Sequence, residues 1–306
     1  MGEAKRRRAA LENGPCPCGS SRPGNQCCYN GREWHKRAAV LGLRALPPIS
    51  AADRCYMKEL GSCDGKISGE HLVSQSIMLL LKSDGDFSIS GLPWLADGEM
   101  RIMSPKTLTA NCLCQKHNSS LSPLDSAALY FFTALKSCLD RTAQSGRYIV
   151  SGHDIERWLL KTAKALAASK NLARGRERLS GAFASDVQVL DMLDGPIDWP
   201  DGAGLYCVMS PGALTENHNR FQLQPYTNQG GEISGLGVNI MGLGFVLMLE
   251  PLDFALNPHL KDAKYRPGQI CVSYPSSTSW IVLSWDDARR HNDTLSLKFL
   301  REVGVK

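Results

Sequence analysis

The chain has 306 residues, 43% of them hydrophobic, enough to bury a sizeable core and to form more than one folding unit without a covalent staple. No run of about 18 apolar residues occurs, and the opening MGEAKRRRAALENG is charged rather than apolar. These features lead to the expectation of a soluble, cytoplasmic protein with no membrane partner and no secretory leader. The formal net charge of +5 is uneven: Lys and Arg outnumber Asp and Glu 9 to 3 over residues 1–45 and 10 to 4 over 136–180, but are outnumbered 7 to 9 over 46–135 and 9 to 14 over 181–306. Two basic blocks of this kind can attract a phosphate backbone, although a charge run is also the ordinary composition of a solvated face.

Eight of the eleven cysteines precede residue 115. In a reducing compartment, clustered cysteines favour metal binding over a disulfide framework. The first stretch, 1–45, is a charged lead followed by CPCGSSRPGNQCC, in which Cys16, Cys18, Cys27 and Cys28 follow C-x-C-x8-C-C. Four thiolates within thirteen residues rich in Pro and Gly can wrap one tetrahedral Zn²⁺, and the metal then takes the place of a core. This pattern resembles the SEC-C motif over about residues 14–30. The resemblance implies a structural zinc and a docking role toward protein, ribosome or nucleic acid. The loop carries Arg22 where that motif is usually lysine-rich. GREWHKRAAVLGLRALPP then predicts a short basic helix ending at a Pro47–Pro48 linker.

The second stretch, 50–125, holds two cysteines early, Cys55 and Cys63, and LCQKHNSSLSPLD late, with Cys114 and His117. Together they make a Cys3His set of the kind that pins distant loops around a structural Zn²⁺; Cys112 is a competing thiol. Between them GKISGEHLVS predicts a strand carrying Glu70 and His71. This arrangement resembles the HNH nucleases, whose fold is the ββα-metal finger: a carboxylate–His pair ends the first strand, and a knuckle followed at once by His or Asn opens the helix. The resemblance implies His71 as general base, Glu70 and Asn118 as ligands of a catalytic Mg²⁺ or Mn²⁺, and Asn111 as the residue orienting the imidazole. It also implies DNA as the substrate and a setting in bacterial or phage defence or mobile-element biology. Glu70 stands where Asp is commoner, His117 replaces the last cysteine, and an insertion around SDGDFSISGLPWLADGEM separates His71 from Asn111.

The third stretch, 122–180, predicts a helix from Ser122 and Pro123 to about Gln144. A second helix, capped by Asp154, has Trp158, Leu159, Ala163 and Leu166 at helical spacing and Arg157, Lys161 and Lys164 on another face, turned to phosphate or to solvent. The fourth stretch, 181–306, switches to short β-rich runs between Gly, Pro, Asn and Ser, predicting an antiparallel sheet or half-barrel in a C-terminal domain that could sense a partner. Cys138, Cys207 and Cys271 read as core, and the pairs His218–Asn219 and His291–Asn292 as loop residues. The expected protein is α+β, a zinc-stabilised HNH-like finger with a helical segment and a β-rich C-terminal domain. It cuts nucleic acid or, alternatively, is a non-catalytic docking protein for nucleic acid, ribosome or a protein partner.

Overall fold

The structure, a computed structural model, describes residues 3–43, 53–82, 86–140, 146–174, 177–179, 186–195, 199–209 and 218–300. In chain order it builds α1 (Glu3–Asn13), β1 (Ile67–His71), α2 (Gln75–Lys82), β2 (Ser88–Ser90), β3 (Arg101–Ile102), β4 (Thr109–Cys114), α3 (Gln115–Leu139), β5 (Arg147–Ser151) and α4 (Gly152–Ala168). There follow β6 (Ala173–Arg174), β7 (Glu177–Arg178), α5 (Asp186–Asp194), β8 (Gly204–Met209), β9 (Arg220–Thr227), β10 (Ile233–Ile240) and β11 (Leu243–Met248). The last strands are β12 (Lys264–Tyr265), β13 (Gln269–Tyr274), β14 (Ser277–Ser284) and β15 (Thr294–Lys298).

The chain is α+β, and its β-rich stretches close two principal sheets. A seven-stranded sheet runs β12-β8-β11-β10-β9-β2-β3, antiparallel except where β2 lies parallel to β9. Its centre is the β10–β11 hairpin, whose two loop residues Met241 and Gly242 both take positive φ, as a two-residue hairpin turn requires. A four-stranded mixed sheet runs β15-β13-β14-β5, with β5 parallel to β14 and β15 parallel to β13. The sequence insertion thus supplies β2 and β3 to the larger sheet, and β5 crosses from the helical stretch to the smaller one. One core spans Leu41 to Leu297.

Helix α4 lies at the centre, touching α3, β4 and α5, strands β8, β10 and β11 of the larger sheet, and β5 and β14 of the smaller. A helix wrapped on every side cannot present a charged face to water. Arg157, Lys161 and Lys164 are accordingly buried rather than turned to phosphate or solvent. Arg157 donates to the carbonyls of Ala39, Leu193 and Asp194 and lies 3.2 Å from Asp154. The cap is Ser151, whose hydroxyl accepts the Asp154 N–H, so Asp154 sits inside the helix and spends its carboxylate on the Ala39 N–H. Against α4 pack Phe131, Phe132 and Phe245, with Phe132 and Trp158 edge to face at 5.4 Å.

Two further expectations are corrected. Residues 31–43 form no helix, because their N–H groups are claimed by distant side chains: Lys36 by Ser284, Ala38 by Asp286, Ala39 by Asp154 and Leu43 by Asp194. Helix α3 begins at Gln115, not at Ser122, and Pro123 lies inside it. The cap is Cys114, whose sulfur accepts the His117 N–H at 3.4 Å, so the metal knuckle itself starts the helix. The Pro47–Pro48 linker and the expected helix end at Gln144 lie outside the described residues. Cys138, Cys207 and Cys271 are buried, the first in α3 and the others in strands.

Candidate metal centres and the strand–helix site

Cys16, Cys18, Cys27 and Cys28 converge, with all four sulfurs within 4.8 Å of one another. The Cys18–Cys27 and Cys27–Cys28 sulfurs are 3.5 and 3.7 Å apart, close to the roughly 3.7 Å edge that ~2.3 Å zinc–sulfur bonds impose on a tetrahedron. A short bridge between Pro15 and Pro23 and the Cys16 N–H to Arg22 carbonyl bond close the loop that carries them. Gly19 turns the first pair at φ +78, and a Cβ there would strike the Tyr130 ring at 2.7 Å. Ser20 and Arg22 approach the Cys27 sulfur at 3.1 and 3.4 Å, a polar shell that suits a thiolate. The knuckle packs inward: Ile149 of β5 donates its N–H to the Pro17 carbonyl, and so does the Tyr130 hydroxyl.

Cys55, Cys63, Cys114 and His117 form the second set, all four buried. His117 Nδ1 lies 3.3, 3.7 and 3.4 Å from the three sulfurs, so Nδ1 is the atom offered to an ion. Its Nε2–H then donates to Ser62 Oγ at 3.3 Å, and Ser62 donates onward to the Leu43 carbonyl at 2.9 Å. Ser62 holds a left-handed φ of +56 to reach both. Burial, with the neighbouring Cys114 and Cys63 adding to it, pushes the Cys55 thiol up to about 12, so a bound cation would be needed to leave that sulfur ionised near neutral pH. Cys112 faces elsewhere and takes no part. Both sets can therefore hold a metal ion with the coordination chemistry of zinc.

Beside the second set, β1 pairs antiparallel with β4, from Ile67 opposite Cys114 at the metal end to His71 opposite Thr109 at the other, and β4 runs directly into α3. A bulge in β4 shifts the register between Ser68 and Glu70, where Gly69 alone faces both Asn111 and Cys112. The four residues expected to act together are distributed along this unit. Asn118 donates its Nδ2 to Ser68 Oγ at 3.0 Å, near the metal end. Three residues of strand, about 10 Å, separate Ser68 from His71. Asn111 is exposed, its Oδ1 4.0 Å from where a Cβ on Gly69 would stand, and lines a cleft of about 590 Å³ with Arg54, Lys58 and Lys164. No hydrogen bond joins it to His71 among the described residues.

Glu70 is only 2% exposed, and its Oε1 lies 2.9 Å from Lys161 Nζ, close enough for an ion pair though its angle is poor for a hydrogen bond. Lys161 also donates to Asp125 Oδ2 at 2.6 Å. Ser74 donates to the other Asp125 oxygen and receives the Trp158 indole N–H at 2.7 Å. Asp125 and Lys161 are the site residues that sequence reasoning missed. A signal existed for the first, since Asp125 follows Asn118 by seven residues, two helical turns, and so shares its face. For Lys161 none existed, because its place depends on how α4 packs.

Burial raises the Glu70 carboxyl, with Lys161 opposing. For Lys161 the two carboxylates outweigh burial and raise it. Burial, then the Lys161 charge, lowers His71 below 6.5 against the opposing pull of Asp125. The shift favours the uncharged imidazole that a proton acceptor needs, and the ring is partly exposed and without a hydrogen-bond partner among the described residues. Nothing in this geometry builds a shared Mg²⁺ or Mn²⁺ site from Glu70 and Asn118. Such an ion needs several oxygens and waters around it, but Glu70 is enclosed against Lys161, while Asn118 is tied through its Nδ2 to Ser68 at the metal end, with its Oδ1 left free among the described residues.

No helix among the described residues is long and apolar enough to cross a membrane. Compared with models of protein families, with curated proteins and with solved structures, the chain finds no match.

Proposed function

We propose that the protein is an HNH-type hydrolase of nucleic acid, DNA foremost, in which His71 takes the proton of the attacking water and two structural Zn²⁺ ions hold the frame. The single observation carrying this reading is the order strand, strand, helix with a four-ligand metal set at the start of the helix and a neutral, partner-free imidazole at the end of the first strand. A phosphodiester is anionic, so positive charge must meet it. Glu70, Asp125 and Lys161 sum to about −1, so that charge comes from elsewhere; Arg54 and Lys58 beside the Asn111 cleft offer it. The first four-cysteine set is read as a SEC-C-like module, and the defence or mobile-element setting stays with the family resemblance.

A second reading rests on the Glu70–Lys161 pair and the Asn118–Ser68 bond, which commit two expected metal ligands to structural duty. On that reading the zinc modules dock nucleic acid, ribosome or a protein partner without cutting. Incubating purified protein with supercoiled plasmid, with Mg²⁺, Mn²⁺ or EDTA, separates the two. Nicking that His71→Ala abolishes at unchanged zinc content supports hydrolysis. Binding without cleavage by both proteins transfers the conclusion to docking. Cleavage that persists in EDTA shows that no exchangeable divalent ion is needed.

A further inference from the structure

The outer face of the seven-stranded sheet, turned away from α4, carries a second chemistry. Alternate residues of β9 point outward there, so Gln222 and Gln224 are exposed while Phe221 and Leu223 enter the core. The register places Asn239 opposite Gln222 and Gly237 opposite Gln224, and on β11 places Gly244 and Val246 opposite Asn239 and Gly237. The glycines bare the floor of this face. A Cβ at Gly237 would stand 3.1 Å from the Tyr226 ring, and one at Gly244 would stand 2.7 Å from Val208. A loop over residues 251–263 is pinned across one end by Leu252 and Leu260 packing on Tyr206, Tyr226 and Met248. It sets His259 nearly parallel to the Tyr226 ring at 15°, with the phenol 3.2 Å from Nε2.

Two cavities of about 630 and 240 Å³ meet along this face, sharing Gln222, Gln224, Tyr226 and His259. Neither is lined by a lysine or arginine, so nothing there attracts a phosphate or carboxylate. Beside Asp97 at one end, the polar groups where the cavities meet are amides: Gln222, Gln224 and Asn239 each carry a donor and an acceptor in one plane, whereas the Asn228 amide is used within its own turn, donating to Glu232 and accepting from the Gly230 and Glu232 N–H groups. The partner that satisfies coplanar donor–acceptor pairs, lies flat on a glycine-bared floor and meets an aromatic edge is a neutral heterocycle. Amides pair in this two-point way with the edge of adenine, and ring faces supply stacking.

We infer that the outer face of this sheet binds an uncharged nucleobase, presented by a nucleoside or by a base turned out of a strand. This inference does not rest on hydrolysis at His71, and each can fail without the other. The test is isothermal titration of the full-length protein with adenosine, guanosine, cytidine and uridine, with glucose as a neutral polyhydroxyl control. Saturable binding of at least one nucleoside is expected, weakened at least tenfold in the Gln222→Leu/Gln224→Leu double variant. These positions are exposed, and circular dichroism checks the fold; should the double variant unfold, His259→Ala and Asn239→Ala carry the same test. A single-stranded oligonucleotide that competes with the nucleoside assigns the base to a strand, and one that does not assigns it to the free nucleoside. Absence of binding by all four nucleosides, equal binding by the folded variants, or binding of glucose alone overturns the inference.

Discussion

Ser62 shows how much one hydroxyl can decide. It takes the Nε2–H of His117 and passes its own proton to the Leu43 carbonyl, which fixes both the ring orientation and the nitrogen left for metal. Removing such a support typically weakens metal affinity about 10–100-fold. Ser62→Ala is therefore expected to release the second metal ion to a chromophoric chelator that much more readily, while the four-cysteine set keeps its own. Lys161 is decisive in the opposite sense. It is buried between two carboxylates, and deleting one member of a buried ion pair costs about 3–5 kcal/mol because the other charge stays enclosed. Lys161→Met is expected to lose stability of that order in urea unfolding. Lys161→Met with Glu70→Gln is expected to recover part of it, as the uncompensated charge is then gone.

Among the elements, α3 is one whose beginning is chemical rather than statistical. Ser122, Pro123 and Asp125 make a persuasive local start signal, yet the helix starts seven residues earlier because Cys114 caps it and the metal set holds Cys114. Chelation is expected to raise hydrogen exchange first in the opening turn of α3 and along β1 and β4. The β10–β11 hairpin, which holds no ligand, should stay protected. Cysteine spacing made the two ligand sets legible, since thiols at those intervals have few other uses. Period-two runs likewise revealed the strands of the carboxy-terminal half. What was not legible depends on contacts distant in the chain, from 36 residues for Lys161 with Asp125 to 248 for Lys36 with Ser284. The stretch 31–43 reads as a basic helix until Ser284, Asp286, Asp154 and Asp194 take its N–H groups. Lys161 and Arg157 read as a solvated face until α4 is enclosed by both sheets. The Glu70–His71 pair was visible, and Asp125 could have been placed on the face of Asn118 by helical spacing, but Lys161 is delivered only by tertiary packing.

At the scale of the whole molecule, both sheets are tied to α4 through one buried ionic cluster. Arg266 is 2% exposed, forks onto Glu156 at 2.8 and 3.2 Å, and reaches Asp287 at 2.9 Å, which in turn holds His291 at 2.8 Å. Glu156 also accepts the Leu205 N–H of β8, so helix and large sheet share one carboxylate, and Arg266 carries the tie on to Asp287 in the loop after β14. Burial alone would raise Asp287, but the His291 hydrogen bond, the Arg289 N–H and the Arg266 charge outweigh it and hold it below 3.8. A carboxyl with a lower value folded than unfolded stabilises the protein above its unfolded-state value and loses that contribution as pH falls through the folded one. Stability is therefore expected to decline below about pH 4, where ordinary aspartates begin to protonate. Asp287→Asn should flatten that part of a urea-unfolding series run from pH 6 to pH 3.

The bond from Ile149 to the Pro17 carbonyl has a consequence for solubility. β5 is the outermost strand of the mixed sheet, and an outermost strand with open amides invites other chains to extend it. The cysteine knuckle sits on that border as a stopper, in a shape that an ion on its four sulfurs would hold. Stripped of metal, or trimmed away, it leaves the border bare, and the first symptom to look for is self-association of an otherwise folded protein.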